Sequence, residues 1–538
     1  MNKKYPFIGF GIAVFGVIGA IFLFFNLSKA PYGASGGYSS SDTAGLPLAK
    51  SAEIVELKNG DTYNLTAGFV KKKIGNGTYR MLAYNGSIPG SLIKAEQGAE
   101  VAVVFKNDTD MNTTIHSHGV RLDNAFDGVP DITQKPVRPG ESFTYTIAFP
   151  DAGMYWYHPH VREDYAQELG LYGGYLVEPA ERDYWNPVNR ELPLFLDDIL
   201  IEDDRIRLSK SEADHALMGR FGNVMLVNGE PDYRLEAKKG EIIRFYIINA
   251  ANTRTFNFAV SGAVMKLVGG DGGAAEKEEW KDAVIIGPSE RTVVEVLFEN
   301  EGEYALLNKT PDKTYALGKV LVSADEILPS YAVAFAELRA NAAAIKRIDP
   351  YRQYFDRPID KRLALTLDMP GMMSASGGHM MPDGTMMGGS ALPATGGMGM
   401  MSGVLDGGIE WEDTMHMMNE TVKAGAAEWK IVDQDTGKAN MDIDWSFTAG
   451  DVVKIRIAND AGSAHPMQHP VHFHGQQFLV LDRDGAPQTN LAWKDTVLVP
   501  AGEYVDILLD VSNPGEWMAH CHIAEHLEAG MMFDFRVL

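Results

Sequence analysis

Three stretches of the chain repeat one another. GAEVAVVFKN (98–107), GEIIRFYIIN (240–249) and GDVVKIRIAN (450–459) each start at a glycine, run through apolar residues and stop at asparagine. A turn glycine followed by a β-branched run reads as a strand. A second element recurs at Pro139-Gly-Glu, Pro288-Ser-Glu and Pro500-Ala-Gly-Glu, each opening another strand. A third recurs as GMYWYH (153–158), GEYALL (302–307) and GEWMAH (515–520). Repetition at this scale means three copies of one structural unit. A strand-dominated unit closes most readily as a Greek-key β-sandwich. The expected fold is therefore all-β, with three Greek-key sandwich domains at 53–181, 182–325 and 361–538. A connector spans 326–360, and its Ala-rich part (331–345) predicts a short helix.

The repeat also shows where chemistry is missing. Its third element ends in histidine at His158 and His520 but in leucine at Leu307. The middle copy reads TFNF (255–258) where the first reads HSHG (116–119). The middle domain is thus expected to act as a spacer. Four clusters hold H-x-H pairs: His116/His118, His158/His160, His472/His474 and His520/His522. Eleven of the fourteen histidines fall in or beside these clusters, so their placement is not incidental. The last cluster, HCHIAEHLEAGM (520–531), holds the only cysteine of 538 residues. Thiolate, imidazole and thioether together suit copper. Side chains alternate along a strand, so His520 and His522 would point one way and Cys521 the other. One segment could then touch two metal sites.

A net charge of -24 argues against a nucleic-acid partner, because phosphates would be repelled. One cysteine allows no intrachain disulfide and leaves the redox compartment open. Location is read instead from the N-terminus. Lys3 and Lys4 precede an apolar run at 8–25, followed by small residues up to Ala30. Residues 1–30 read as a signal peptide or an uncleaved membrane anchor, and 31–52 as a flexible tether. The positive flank exports the body under either reading, to the periplasm or another extracytoplasmic compartment. Membrane contact is expected only through an uncleaved N-terminal segment.

On these motifs the chain resembles the three-domain multicopper oxidases, among them bacterial copper efflux (cuprous) oxidases and laccases. The resemblance implies cupredoxin-type domains and four copper ions, one type 1, one type 2 and two type 3. His469, Cys521 and His526 would bind the type 1 copper, with Met531 as weak axial ligand. His116 and His472 would hold type 2. His118, His158, His160, His474, His520 and His522 would hold the type 3 pair. The implied activity is one-electron oxidation of a donor at type 1, coupled through Cys521 to reduction of O2 to water. Asp127, nine residues after His118, matches the acid that assists proton delivery in this family. Copper efflux oxidases carry a second acid directly after the second type 1 histidine. This chain has Leu527 there, so the second proton route is open.

The donor is read from a methionine-rich insert at 369–418, which interrupts the third domain. Met372, Met373, Met380, Met381, Met386 and Met387 lie among Gly, Ser and Pro rather than at helical spacing. Such a segment cannot build a core, and thioethers suit Cu(I). His465 and Met467 stand where cuprous oxidases carry an acid and a methionine. The expected donor is Cu(I). Laccase-like oxidation of phenols is the main rival, with Fe(II) and Mn(II) as further candidates.

Overall fold

The computed structural model describes residues 41–369 and 407–538. Between them it gives the backbone of one short antiparallel pair, His379–Met380 with Met386–Met387. The reading of residues 1–40 lies outside the described part. Among the described residues, no helix is long and apolar enough to cross a membrane.

The three repeats become three equivalent pairs of sheets. Their sheets have four and five, six and five, and six and five strands. The first repeat element is the central strand each time. Glu100–Asn107 runs parallel to Thr62–Ile74 and antiparallel to Ser142–Ala148. Glu241–Asn249 runs parallel to Arg190–Ile199 and antiparallel to Arg291–Phe298. Asp451–Asn459 runs parallel to Lys361–Asp368 and antiparallel to Tyr504–Val511. Alternating apolar residues of each strand enter a separate core. Val101, Val103 and Phe105 enter the first, Ile243, Phe245 and Ile247 the second, and Ile455 and Ile457 the third.

The asparagine that ends each repeat has a physical reason. Each is buried, and its Nδ2 donates to two backbone carbonyls. Asn107 reaches Met111 O and Val137 O, both at 2.8 Å. Asn249 reaches Arg254 O at 2.8 Å and Ile286 O at 2.9 Å. Asn459 reaches Met467 O at 2.7 Å and Val499 O at 3.0 Å. A short amide satisfies carbonyls that would otherwise be buried without partners. In the third domain this bond fixes the loop just before His469.

The third repeat element positions the chemistry. Gly153–His158 pairs with His116–His118, setting His116 opposite His158. Gly515–Cys521 pairs with His469–Phe473, setting His472 opposite His520. In the middle unit Gly302–Lys309 pairs with Phe256–Val260, and Ala259 stands opposite Leu307. The connector forms two short α-helices, Ala332–Phe335 and Ala342–Ile348, and a 3-10 helix at Asp349–Tyr354, rather than one helix. The break falls where Ala340 bridges to Lys277 and Asn341 N donates to Glu276 O.

Candidate metal centres

The ten histidines and Cys521 converge into buried groups whose ligand atoms lie within 4.8 Å of one another. His469, Cys521 and His526 form one group. His118, His158 and His522 form a second, and His160, His474 and His520 a third. His116, His118 and His472 form a fourth that shares a ring with the second. The first and third sheet pairs supply all of these residues.

Three of the H-x-H pairs divide between groups. His158 and His160 part company, as do His472 and His474, and His520 and His522. The reason is local. His158, Phe473 and Cys521 are the last residues of their strands. The second histidine of each pair therefore lies beyond the end of its strand. Between His520 and His522, Cys521 does point to the opposite side, as alternation predicts. Its Sγ lies 3.5 Å from His469 Nδ1 and 3.8 Å from His526 Nδ1, and those two nitrogens are 3.3 Å apart. Met531 is fully buried in the same core. Its carbonyl accepts from Cys521 N at 3.0 Å. Trp429 stacks on His526 with ring centroids 4.1 Å apart, and its Nε1 donates to Ala216 O.

The residues fit a bound cation. His116, His158 and His472 each turn Nδ1 to a carbonyl at 2.8 Å, from Asp127, Pro159 and Asp495 respectively. Their buried Nε2 atoms have no partner, and neither does His160 Nε2. His118 is turned the other way. Its Nε2 faces Asp495 Oδ1 at 3.0 Å and Thr496 Oγ1 at 2.9 Å, leaving Nδ1 bare. His474 Nε2 and His520 Nε2 face each other at 3.0 Å while their Nδ1 atoms meet Asp127 Oδ2 and Cys521 O. Each bare buried nitrogen costs about 1–3 kcal/mol unless something accepts its lone pair. A bound cation does so, and fixing one ring nitrogen by hydrogen bond to free the other is how metal-binding histidines are oriented.

The electrostatics agree. Burial, reinforced by neighbouring imidazoles, holds His158, His160, His474, His520 and His522 well below the ordinary histidine value. Burial likewise lowers His469, to about 3. Neutral imidazole is the ligating form. Burial pushes the Cys521 thiol up. A thiolate in this pocket therefore needs a cation beside it. One thiolate with imidazoles and a thioether is a soft donor set, which selects copper over hard cations.

Asp127 sits between two of the groups. A short turn, Asn124–Phe126, brings it there, with Asp123 accepting from Ala125 N. Its Oδ2 accepts from His474 Nδ1 at 2.9 Å and its Oδ1 lies 3.2 Å from His116 Nδ1. Leu527 packs instead against Val129 and Met518. Two acids escaped the sequence reading. Asp495 touches the rings of His118 and His472. Glu163 is fully buried, with neither carboxylate oxygen hydrogen-bonded. It lies 3.5 Å from His160 Nδ1 and 3.8 Å from His158 Nδ1. Burial, with the charges of Glu528 and Asp164, raises its carboxyl well above the usual range. Its position three residues after His160 was the one available signal.

Near the type 1 candidates, His465 is almost buried, with Nε2 3.4 Å from Glu410 Oε1. Met467 is fully buried in the third core. Met372, Met373 and Met381 lie outside the described residues. Met380, Met386 and Met387 are placed by backbone pairing alone.

The fold, with its buried groups of histidine and cysteine, is that of a copper-dependent oxidase. Family models described as multicopper oxidase match residues 69–182, 191–323 and 412–538. The chain belongs to the multicopper oxidase family, and is an oxidoreductase that uses copper and has O2 as its acceptor. It is 27% identical to the multicopper oxidase MmcO of Mycobacterium tuberculosis, over 92% of this chain and 91% of that one. It is 22% identical to copper resistance protein A of Escherichia coli, over 93% and 95%. Among solved structures, the Campylobacter jejuni multicopper oxidase described as a metallo-oxidase shares the fold. Its TM-score is 0.65 at 23% identity, over 93% of this chain and 99% of that one.

Proposed function

We propose that this chain is an exported four-copper cuprous oxidase. The observation that carries the copper reading is the convergence of ten histidines and one cysteine into buried groups with bare, inward-facing nitrogens. His469, Cys521, His526 and Met531 would hold type 1 copper. His116 and His472 would hold type 2. His118, His158 and His522 would hold one type 3 copper, and His160, His474 and His520 the other. When bound, these coppers supply one-electron oxidation of a donor and four-electron reduction of O2 to water.

The protein supplies the rest. Cys521 lies between His520 and His522 in the chain, so one peptide segment joins the donor side to the oxygen side. Trp429 fixes the plane of the His526 ring. Burial of the rings keeps water from competing for their nitrogens. Asp127, hydrogen-bonded to His474 Nδ1, is placed to hold and release a proton beside the oxygen site. Residues 1–30 direct export, as a signal peptide or an anchor.

The donor reading rests on the methionine-rich insert in the sequence of the domain that carries the type 1 candidates, together with His465 and Met467. The name of the Escherichia coli relative, copper resistance protein A, points the same way. The experiment is oxygen uptake by the copper-loaded protein with Cu(I), Fe(II) and a phenol offered in parallel. It is repeated after replacing 369–403 by a brief Gly-Ser loop. The cuprous reading expects fastest turnover with Cu(I), and a fall in that activity alone when the insert is shortened. Cuprous turnover untouched and phenol oxidation lost would establish a laccase instead.

A further inference from the structure

Arg291 lies in the strand Arg291–Phe298 of the middle sheet pair, which supplies none of the metal-group histidines. Its side chain is fully buried and points out of its own domain. Nη1 donates to Asp495 Oδ1 at 2.6 Å, and Nη2 binds Asp495 Oδ2. Nε donates to Met154 O of the first domain at 3.0 Å, and Nη1 also reaches Ser289 O at 3.1 Å. One guanidinium therefore joins all three sheet pairs at one point. A planar fork gripping both carboxylate oxygens fixes rotation as well as position, which an ammonium cannot do.

Asp495 is itself one contact from the candidate ligands. Its Oδ1 accepts from His118 Nε2 at 3.0 Å and from Thr496 Oγ1 at 2.9 Å. Its carbonyl accepts from His472 Nδ1 at 2.8 Å. His118 differs here from His116, His158, His472 and His520, whose orienting acceptors are backbone carbonyls. A carbonyl cannot rotate away or take up a proton. A carboxylate can do both unless something holds it, and here Arg291 does.

The clamp is closed on the other side by charge and space. Asp271, also of the middle domain, accepts from Arg291 N at 2.7 Å and lies 3.1 Å from Lys494 Nζ. Lys494 and Asp495 are neighbours, so two ion pairs of opposite polarity run between the domains side by side. Gly119, directly after His118, has φ +81°. A side chain there would collide with Asp495 Oδ2 and stand 2.7 Å from Arg291 Nη2. The chain following the ligand is thus moulded to the ion pair.

We propose that Arg291 is a positioning residue for the oxygen-reducing copper cluster, locking Asp495 so that His118 presents Nδ1 to the metal. The middle domain is then part of the site and not a spacer. This rests on the copper reading above.

The test uses full-length copper-loaded protein carrying R291Q or R291K. Copper is withdrawn with a graded chelator while the blue type 1 band, the near-ultraviolet type 3 band and the copper-to-protein ratio are followed. In both variants cluster copper should leave at about 10- to 100-fold lower chelator concentration than in wild type. The type 1 band should persist, because Arg291 does not contact His469, Cys521 or His526. R291K keeps the charge but loses the fork, so it should resemble R291Q. A wild-type withdrawal curve and type 3 band in R291Q would overturn the proposal. So would failure of both variants to give folded blue protein, which would make Arg291 a general strut. Adding Asp495→Asn to R291Q separates the remaining cases. Little further loss means that Arg291 acts through Asp495, whereas additive losses mean that it does not. Wild-type protein lacking cluster copper would instead overturn the copper reading beneath.

Discussion

Among single residues, the histidines carry the most readable physics. Nine of them have folded-state values below the ordinary one, with burial the leading cause. Below about pH 6.5 the unfolded chain takes up protons that these buried rings refuse. The neutral rings therefore support stability above that pH, and the support is lost as pH falls. The loss runs down to about 3 for His469. Glu525, raised to about 7 by burial against the pull of Arg220, acts in the opposite sense, as does Glu163. Glu168, Glu528, Asp197, Asp198, Asp271 and Glu503 are raised too, so eight carboxyls offset most of the nine rings until the unfolded carboxyls protonate at about pH 4. The denaturant midpoint of copper-free protein should therefore fall most steeply below about pH 4, and a flat or rising profile there would contradict this. Asp127→Asn keeps the size and removes the charge beside His474. It should slow oxygen reduction about 10-fold or more and leave the type 1 band unchanged. Stopped-flow reoxidation and visible absorption check both parts.

Among elements, the strand ends do the positioning, and there sequence and structure part in an instructive way. The repeat unit, its boundaries at glycine and asparagine, and the lack of H-x-H pairs in the middle copy were all legible, because each follows from local periodicity. How the six type 3 candidates divide between two groups was not. It depends on strands ending between the two histidines of an H-x-H pair, which a local pattern does not reveal. Asp495 and Arg291 were illegible for another reason. They meet across 204 positions, and nothing in either neighbourhood announces the other. Glu163 lies among the likewise buried Arg162 and Asp164, and only its bare oxygens near His158 and His160 set it apart. The turn carrying Asp127 gives a test at this scale. Gly128 has φ +85°, and a side chain there would collide with the Ile115 carbonyl, next to His116. Gly128→Ala should cost at least about 2 kcal/mol from left-handed backbone strain and that clash. It should also weaken cluster copper. Urea unfolding of the copper-free variant measures the first, and chelator competition the second. A loss below about 0.5 kcal/mol would show that the turn adapts freely.

At the scale of the molecule, three copies of one sandwich have taken different tasks. The first and third share the three groups built from histidine alone. The third alone holds the cysteine group. The middle copy exchanges histidine for phenylalanine and leucine at the equivalent strand positions, yet sends Arg291 into the junction. The decisive property of the molecule is whether these buried groups hold copper together. The direct measurement is the copper-to-chain ratio of purified copper-loaded protein, determined by elemental analysis on the same sample as its visible and near-ultraviolet spectrum. Four coppers per chain, with a blue band that Cys521→Ser abolishes and a type 3 band that it spares, is the expected result. One or two coppers per chain in a fully active sample would contradict it.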